Sequence, residues 1–172
     1  MAITTEAEFT EAYRASYPDL LRFVRRRAHP LNVDDIVGET FLAAWRRRRE
    51  LPADVRPWLF RTARNAMLNS SRGANRQTAL AVRIGQAEDV VDRGLSSTDQ
   101  RLDLIAAWRE LPAIDQEVLA LSLWEDLSSK DAAATLGLSR AAYAMRLTRA
   151  KRSLASLLAS PATGQIPLVH SS

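Results

Sequence analysis

Apolar residues recur at spacings of three and four along most of this chain, and the breaks between such stretches outline its helices. Phe9, Tyr13 and Tyr17, followed by Leu20, Leu21 and Val24 on a neighbouring stripe, predict a helix over 6–29, which Pro18 is expected to bend or break. Val33, Val37, Phe41 and Trp45, with Ile36 and Ala44 beside them, form the core stripe of a second helix that Asn32 or Asp34 is placed to cap. Pro52 and Pro57 bracket a short loop, and a third helix is predicted over 58–71. The pattern then lapses. Residues 72–100, RGANRQTALAVRIGQAEDVVDRGLSSTDQ, hold three glycines and no aromatic residue, which reads as a tether. So long a connection inside one compact domain is unusual, so a domain boundary falls here. Helical periodicity resumes with LDLIAAWRE, continues through IDQEVLALSLWED after LPA, and yields a third helix after residues 127–129 and a fourth after Gly137. The tail, SPATGQIPLVHSS, carries Pro161, Gly164 and Pro167 and reads as disordered. The expected fold is all-α, with two small helical domains over 1–72 and 101–159, a flexible linker over 73–100 and a tail over 160–172.

Composition narrows the function. At 172 residues and 47% hydrophobic, the chain holds one medium domain or two small ones. It has no cysteine, and its two histidines, His29 and His170, lie far apart, so neither disulfides nor a metal centre is expected. No phosphate-cradling GxxxxGK[ST] sequence or nucleophile motif is found, so an enzyme is the least supported class and no cofactor or small-molecule substrate is implied. The N-terminus, MAITTEAEFTEAY, lacks a signal pattern, and no apolar run approaches the roughly 18 residues of a membrane span. A soluble cytoplasmic protein is the expectation.

Charge is unevenly placed. Residues 1–72 carry thirteen bases against nine acids, residues 73–100 three against four, and residues 101–131 three against seven. Residues 132–172 carry five bases and no acid, Asp131 being the last. A wholly basic segment beside an acidic one suggests a surface for a polyanion, although an ordinary solvated helix face would look the same.

The basic segment lies in SSKDAAATLGLSRAAYAMRLTRAKRSL. Ser128 is placed to cap a helix, with Asp131 three residues on completing a reciprocal capping box, and Ala132 and Ala133 let a partner helix cross closely. Gly137 supplies the positive backbone angle of a tight turn, Leu138 plugs the core, and Ser139 caps the next helix. On that helix Ala142 or Tyr143, then Leu147, Ala150 and Leu154, make the apolar stripe, leaving Arg140, Arg146, Arg149, Lys151 and Arg152 outside it. This is a helix-turn-helix pattern whose second helix suits the major groove. The alternative is a plain helical hairpin with a basic face.

In the first unit, VDDIVGETFLAAWRRRRE places Asp35, Glu39, Leu42, Arg46 and Arg49 on a face separate from the core stripe. Acids near the amino end and arginines near the carboxyl end suit the helix dipole, and such a face around an exposed leucine also suits docking on another helix. In RPWLFRTARNAMLNSSR, Leu59, Ala63, Ala66 and Met67 face the core, while Arg56, Arg61, Arg64, Asn65, Asn69 and Arg72 offer guanidinium and amide groups. Trp58 and Phe60 suit either base stacking or the core.

The stretches NVDDIVGETFLAAWRRR and RPWLFRTARNAML resemble region two of the extracytoplasmic-function sigma factors of bacterial RNA polymerase, and ELPAIDQEVLALSLWEDLSSKDAAATLGLSRAAYAMRLTRAKRSL resembles their region four. The resemblance implies a promoter-specificity subunit that performs no chemistry. It implies contact with the β′ clamp helices through Asp35, Glu39, Leu42 and Arg46, and contact with the β flap. It implies opening of the minus-ten element by the loop Leu51 to Pro57 with Arg56, Trp58, Arg61, Arg64 and Asn65. It also implies minus-thirty-five recognition by Ser139, Arg140, Ala141, Ala144, Met145, Arg146 and Arg149. An anti-sigma factor is a further implied partner. The chain departs from the family in Gly38, where glutamine is usual, and in Ala142, Ala144 and Met145, where polar residues are usual; the last three leave fewer groups for base edges, which points to a minus-thirty-five readout that is either weak or unusually apolar, as in contact with a thymine methyl. Two rivals stay open on the residues alone: a polymerase-independent DNA-binding regulator and a purely protein-binding helical adaptor.

Overall fold

The computed structural model describes residues 3–70, 79–85 and 97–160. Every regular element among them is helical: α1 (Glu6–Arg25), a 3-10 turn (Pro30–Asn32), α2 (Val33–Arg46), α3 (Arg56–Ser70), α4 (Thr98–Glu110), α5 (Ala113–Leu123), α6 (Ser129–Leu136) and α7 (Arg140–Ala159). The disorder expected of the tail beyond Ser160 concerns residues outside those described.

α1 starts on a reciprocal capping box. The Thr5 hydroxyl accepts from the Glu8 N–H at 3.2 Å and the Glu8 carboxylate accepts from the Thr5 N–H at 3.0 Å. The Thr5 and Thr4 backbone donors hold the Glu8 carboxyl down to about 2. Pro18 does not break α1, which continues to Arg25. It sits on the exposed side with Arg14 one turn before it, so the carbonyl that lacks its usual donor faces solvent. α2 is entered differently from expectation. His29 caps the preceding 3-10 turn, its Nδ1 accepting from the Leu31 N–H at 3.3 Å, while Asn32 occupies the N-cap position without a side-chain bond. Asp34 is already inside the helix and contributes as a first-turn acid.

α1, α2 and α3 close around Leu20, Phe23, Val24, Ile36, Val37, Phe41, Leu59, Phe60 and Ala63, all buried. Phe23 and Phe60 stack at 4.5 Å between centroids, and Phe9 meets Trp45 edge-on at 5.0 Å. Gly38 lies on the exposed side of α2, and a methyl added there would meet nothing within 4 Å. Gly38→Ala is therefore expected to stabilise the chain by about 0.5–1 kcal/mol, read as a higher midpoint in thermal unfolding.

The second unit is built on α5, whose residues from Asp115 to Leu121 are all buried. α6 and α7 form the helix-turn-helix. The Ser128 hydroxyl accepts from the Asp131 N–H at 3.2 Å, but donates to the Asp131 carboxylate, so the expected reciprocal box is replaced by a side-chain pair. Gly137 adopts φ 68°, and the Leu138 N–H reaches back to the Ala133 carbonyl at 2.9 Å, closing the turn that only a residue without a Cβ enters freely. Ser139 then caps α7, accepting from the Ala142 N–H at 3.1 Å.

The tether expectation fails for residues 79–85. This strap runs extended, with Leu80, Val82 and Ile84 turned inward and Ala81, Arg83 and Gly85 outward. The Val82 N–H donates to Gln116 Oε1 at 2.9 Å, its carbonyl accepts from Trp108 Nε1 at 2.6 Å, and the Arg83 N–H donates to the Arg26 carbonyl at 2.8 Å. The two units meet directly as well. α3 packs on α6, and Val118, Leu121, Ala132, Ala133 and Leu136 join the apolar cluster of the first three helices.

Candidate polymerase and promoter surfaces

On α2 the spacing places Asp35, Glu39, Leu42 and Arg46 together on the solvent side, opposite the stripe buried against α1 and α3. Leu42 is 48% exposed, an apolar centre with carboxylates toward the helix start and a guanidinium toward its end. Arg48 is drawn away from this face, lying over the Trp45 ring at 4.2 Å. Arg49 lies beyond the end of α2.

α3 divides its polar residues between water and the second unit. Arg61 and Asn65, one turn apart, are exposed. Arg64 is not: its Nε and Nη2 donate to the two carboxylate oxygens of Glu117 at 2.8 and 3.0 Å, a bidentate pair with 11% and 1% side-chain exposure. Arg56 lies 3.2 Å from Asp19 and donates to the Glu125 carbonyl. Trp58 is half-buried against the core, and Phe60 is wholly inside it, which settles for Phe60 the choice between core and stacking.

Arg27, at the end of α1, is completed by the second unit. Its guanidinium lies 3.7 Å from the Phe23 ring centroid, donates to the Phe23 carbonyl at 2.9 Å and pairs with Glu125 at 3.2 Å. Burial pulls its pKa down, and the charges of Glu125 and Glu117 oppose that pull. One of its terminal nitrogens has no hydrogen-bond partner. The Arg83 guanidinium donates to the Arg25 and Ala28 carbonyls where α1 ends.

On α7 the stripe uses Tyr143 and not Ala142. The Tyr143 ring is buried, its hydroxyl donates to the Val118 carbonyl at 3.1 Å, and burial pushes the phenol up to about 12. That orientation leaves Arg140, Ala141, Ala144, Met145 and Arg149 exposed, with Met145 at 64%, while Arg146 is half-buried 3.7 Å from Asp115. Ser139 spends its hydroxyl on the cap. Sequence reasoning missed Asp115, Glu117 and Glu125. The available signal was four acids, Asp115, Glu117, Glu125 and Asp126, in an otherwise apolar run, IDQEVLALSLWED, whose helix is too apolar to have a free face. The alternation of Leu80, Val82 and Ile84 was the corresponding signal for the strap.

Among the described residues no cluster of side chains could hold a metal ion, and no helix is long and apolar enough to cross a membrane. Residues 12–77 match the family model for sigma-70 region 2, and residues 101–154 match that for sigma-70 region 4. The RNA polymerase sigma factor NccH of Alcaligenes xylosoxydans xylosoxydans is 33% identical over 142 residues, covering 75% of this chain and 74% of that protein. The ECF RNA polymerase sigma factor SigM of Bacillus subtilis is 26% identical over 151 residues, covering 86% and 93%. A solved structure of CnrH in complex with the cytosolic domain of CnrY covers 90% of both chains with a TM-score of 0.61 at 26% identity. With the two region models falling on the two helical units in order, and a relative of that identity matched over most of its length, the chain belongs to the sigma-70 family of RNA polymerase sigma factors, in its extracytoplasmic-function group, whose members direct core RNA polymerase to promoters to initiate transcription.

Proposed function

We propose that this sigma factor divides its work between the two units by the residues named above, residues 1–72 forming region two, 73–100 the linker and 101–159 region four. Asp35, Glu39, Leu42 and Arg46 dock on the β′ clamp helices, and region four rests on the β flap. The loop 51–57 with Arg56, Trp58, Arg61, Arg64 and Asn65 captures minus-ten bases and phosphates. α7 enters the major groove of the minus-thirty-five element by its first turns, with Arg140, Arg146 and Arg149 toward phosphate or base edges and Ala141, Ala144 and Met145 toward thymine methyls. The observation that carries this reading is the face of the first half of α7 opposite the buried Tyr143, which beyond the Ser139 cap presents Arg140, Ala141, Ala144, Met145 and Arg149 to solvent with no acid among them. The chain performs no catalysis itself and works in the cytoplasm beside the polymerase. A protein that covers the α2 face or α3 would act as an anti-sigma factor. CnrH, solved with the cytosolic domain of CnrY, supports the idea that a chain of this shape is held that way.

Run-off transcription with purified core polymerase and a genomic promoter library tests the whole. Promoter-specific transcripts are expected only when this chain is added, and failure of holoenzyme to form at low salt overturns the reading. Within that assay Arg149→Ala is expected to weaken promoter binding about equally across sequences and to reduce the slope of log affinity against log salt by about 1. An unchanged slope would remove Arg149 from the phosphate contacts.

A further inference from the structure

We propose that Met145 is an oxidation-sensitive contact of the recognition helix, where gain of one oxygen on its sulfur weakens minus-thirty-five reading and leaves holoenzyme assembly intact. The proposal rests on the assignment of α7 to the minus-thirty-five element. The chain has no cysteine and three methionines, Met1, Met67 and Met145. Met67 is 4% exposed in the core of the first unit, whereas Met145 is 64% exposed and belongs to neither apolar cluster. Met1 lies outside the described residues. Met145 stands two positions from the buried Tyr143 and so points away from the core, because side chains two apart on a helix diverge by about 200°. Its neighbours on the helix surface are short. Ala141 and Ala144 end in methyl groups, and Thr148 turns its hydroxyl to the Ala144 carbonyl at 3.1 Å. Among the described residues Met145 therefore carries the one sulfur that a solvent-borne oxidant reaches.

A hydroperoxide supplies the oxygen. The Met145 sulfur lone pair attacks one peroxide oxygen, the O–O bond breaks, and the other oxygen leaves, after proton transfer, as water or an alcohol. Sulfur is oxidised by two electrons and the peroxide is reduced by two. The product is an uncharged but polar sulfoxide whose oxygen accepts hydrogen bonds. Against thymine that oxygen finds no donor, because the major-groove edge of the base shows only a methyl group and the O4 acceptor. Docking then strips water from the sulfoxide and returns nothing. The phosphate contacts persist, since Arg149 bonds a charged phosphate more strongly than an uncharged sulfoxide. Affinity falls, and its dependence on salt stays as it was. Methionine sulfoxide reductases remove the oxygen as water at the expense of a dithiol, so the change is reversible.

The test treats the full-length chain with hydrogen peroxide, removes the peroxide, adds untreated core polymerase and measures binding to a duplex promoter taken from the run-off library. Mass spectrometry of Ala141–Arg146, the peptide that trypsin releases around Met145, reports the added oxygen. Treated wild type is expected to bind the promoter about tenfold more weakly, as when one base contact is lost, with an unchanged slope of log affinity against log salt and unchanged co-elution with core polymerase. Methionine sulfoxide reductases of both stereospecificities, used together, are expected to restore the affinity. M145L keeps an apolar side chain and is expected to bind equally with and without peroxide, while untreated M145Q is expected to match the oxidised wild type. Full promoter affinity with the oxygen present on Ala141–Arg146 overturns the proposal. A loss in treated M145L equal to that in treated wild type overturns it too, because the damage then lies elsewhere in the chain. Absence of promoter binding by the untreated wild-type holoenzyme overturns the assignment of α7 and the oxidation proposal with it, a result distinct from binding that survives oxidation.

Discussion

Leu42→Asp is expected to abolish holoenzyme assembly, weakening association with core polymerase by about 100-fold or more, while thermal stability changes by no more than about 0.5 kcal/mol. The side chain is half in water already, so its loss removes little from the core. It stands at the centre of the α2 face, with Asp35 and Glu39 on one side and Arg46 on the other. An apolar residue ringed by charges is the arrangement in which one position carries a large share of docking energy, because the rim excludes water from the centre. Aspartate there would be buried without a partner on binding, adding a desolvation penalty to the lost contact. Size-exclusion co-elution with core polymerase, beside a circular-dichroism melt of the free protein, reads both effects. Full assembly by L42D would move the polymerase contact off α2.

The sequence was informative where a pattern has one physical solution. A stripe at spacing four on α2 buries one face and thereby fixes the opposite one, and Ser128, Gly137 and Ser139 each satisfy a helix end that has few other solutions. It was less informative where the partner lies far along the chain. Arg64 looks the same in sequence whether it faces a phosphate or Glu117, 53 positions away. Arg27 sits in a run of three arginines, and only the fold singles it out for burial against Phe23 and Glu125. The strap was misread because three alternating apolar residues are too few to outweigh the glycines and polar residues around them. The break allowed for at Pro18 does not occur, because the cost of proline in a helix depends on which side of the helix its orphaned carbonyl faces.

Phe60→Ala is expected to cost about 3–5 kcal/mol, a large part of the stability of a domain of this size. Trp58 and Phe60 are two residues apart on one helix, so their side chains diverge by about 200° and cannot share a face. Phe60 lies with Ala63 and Met67 on the buried side, while Trp58 is left half-buried. The Phe60 ring stacks on Phe23 with 9° between planes, and Phe23 in turn supports the Arg27 guanidinium. Truncation would thus open a cavity and loosen the shelf on which the Arg27–Glu125 pair rests, so the two units should part more easily in the same variant. Chemical unfolding followed by far-UV circular dichroism measures the stability, and energy transfer between dyes on cysteines placed at the exposed Ala53 and Ala155 measures the separation. A variant that keeps wild-type stability and loses only promoter opening would place the Phe60 ring against a base and not in the core.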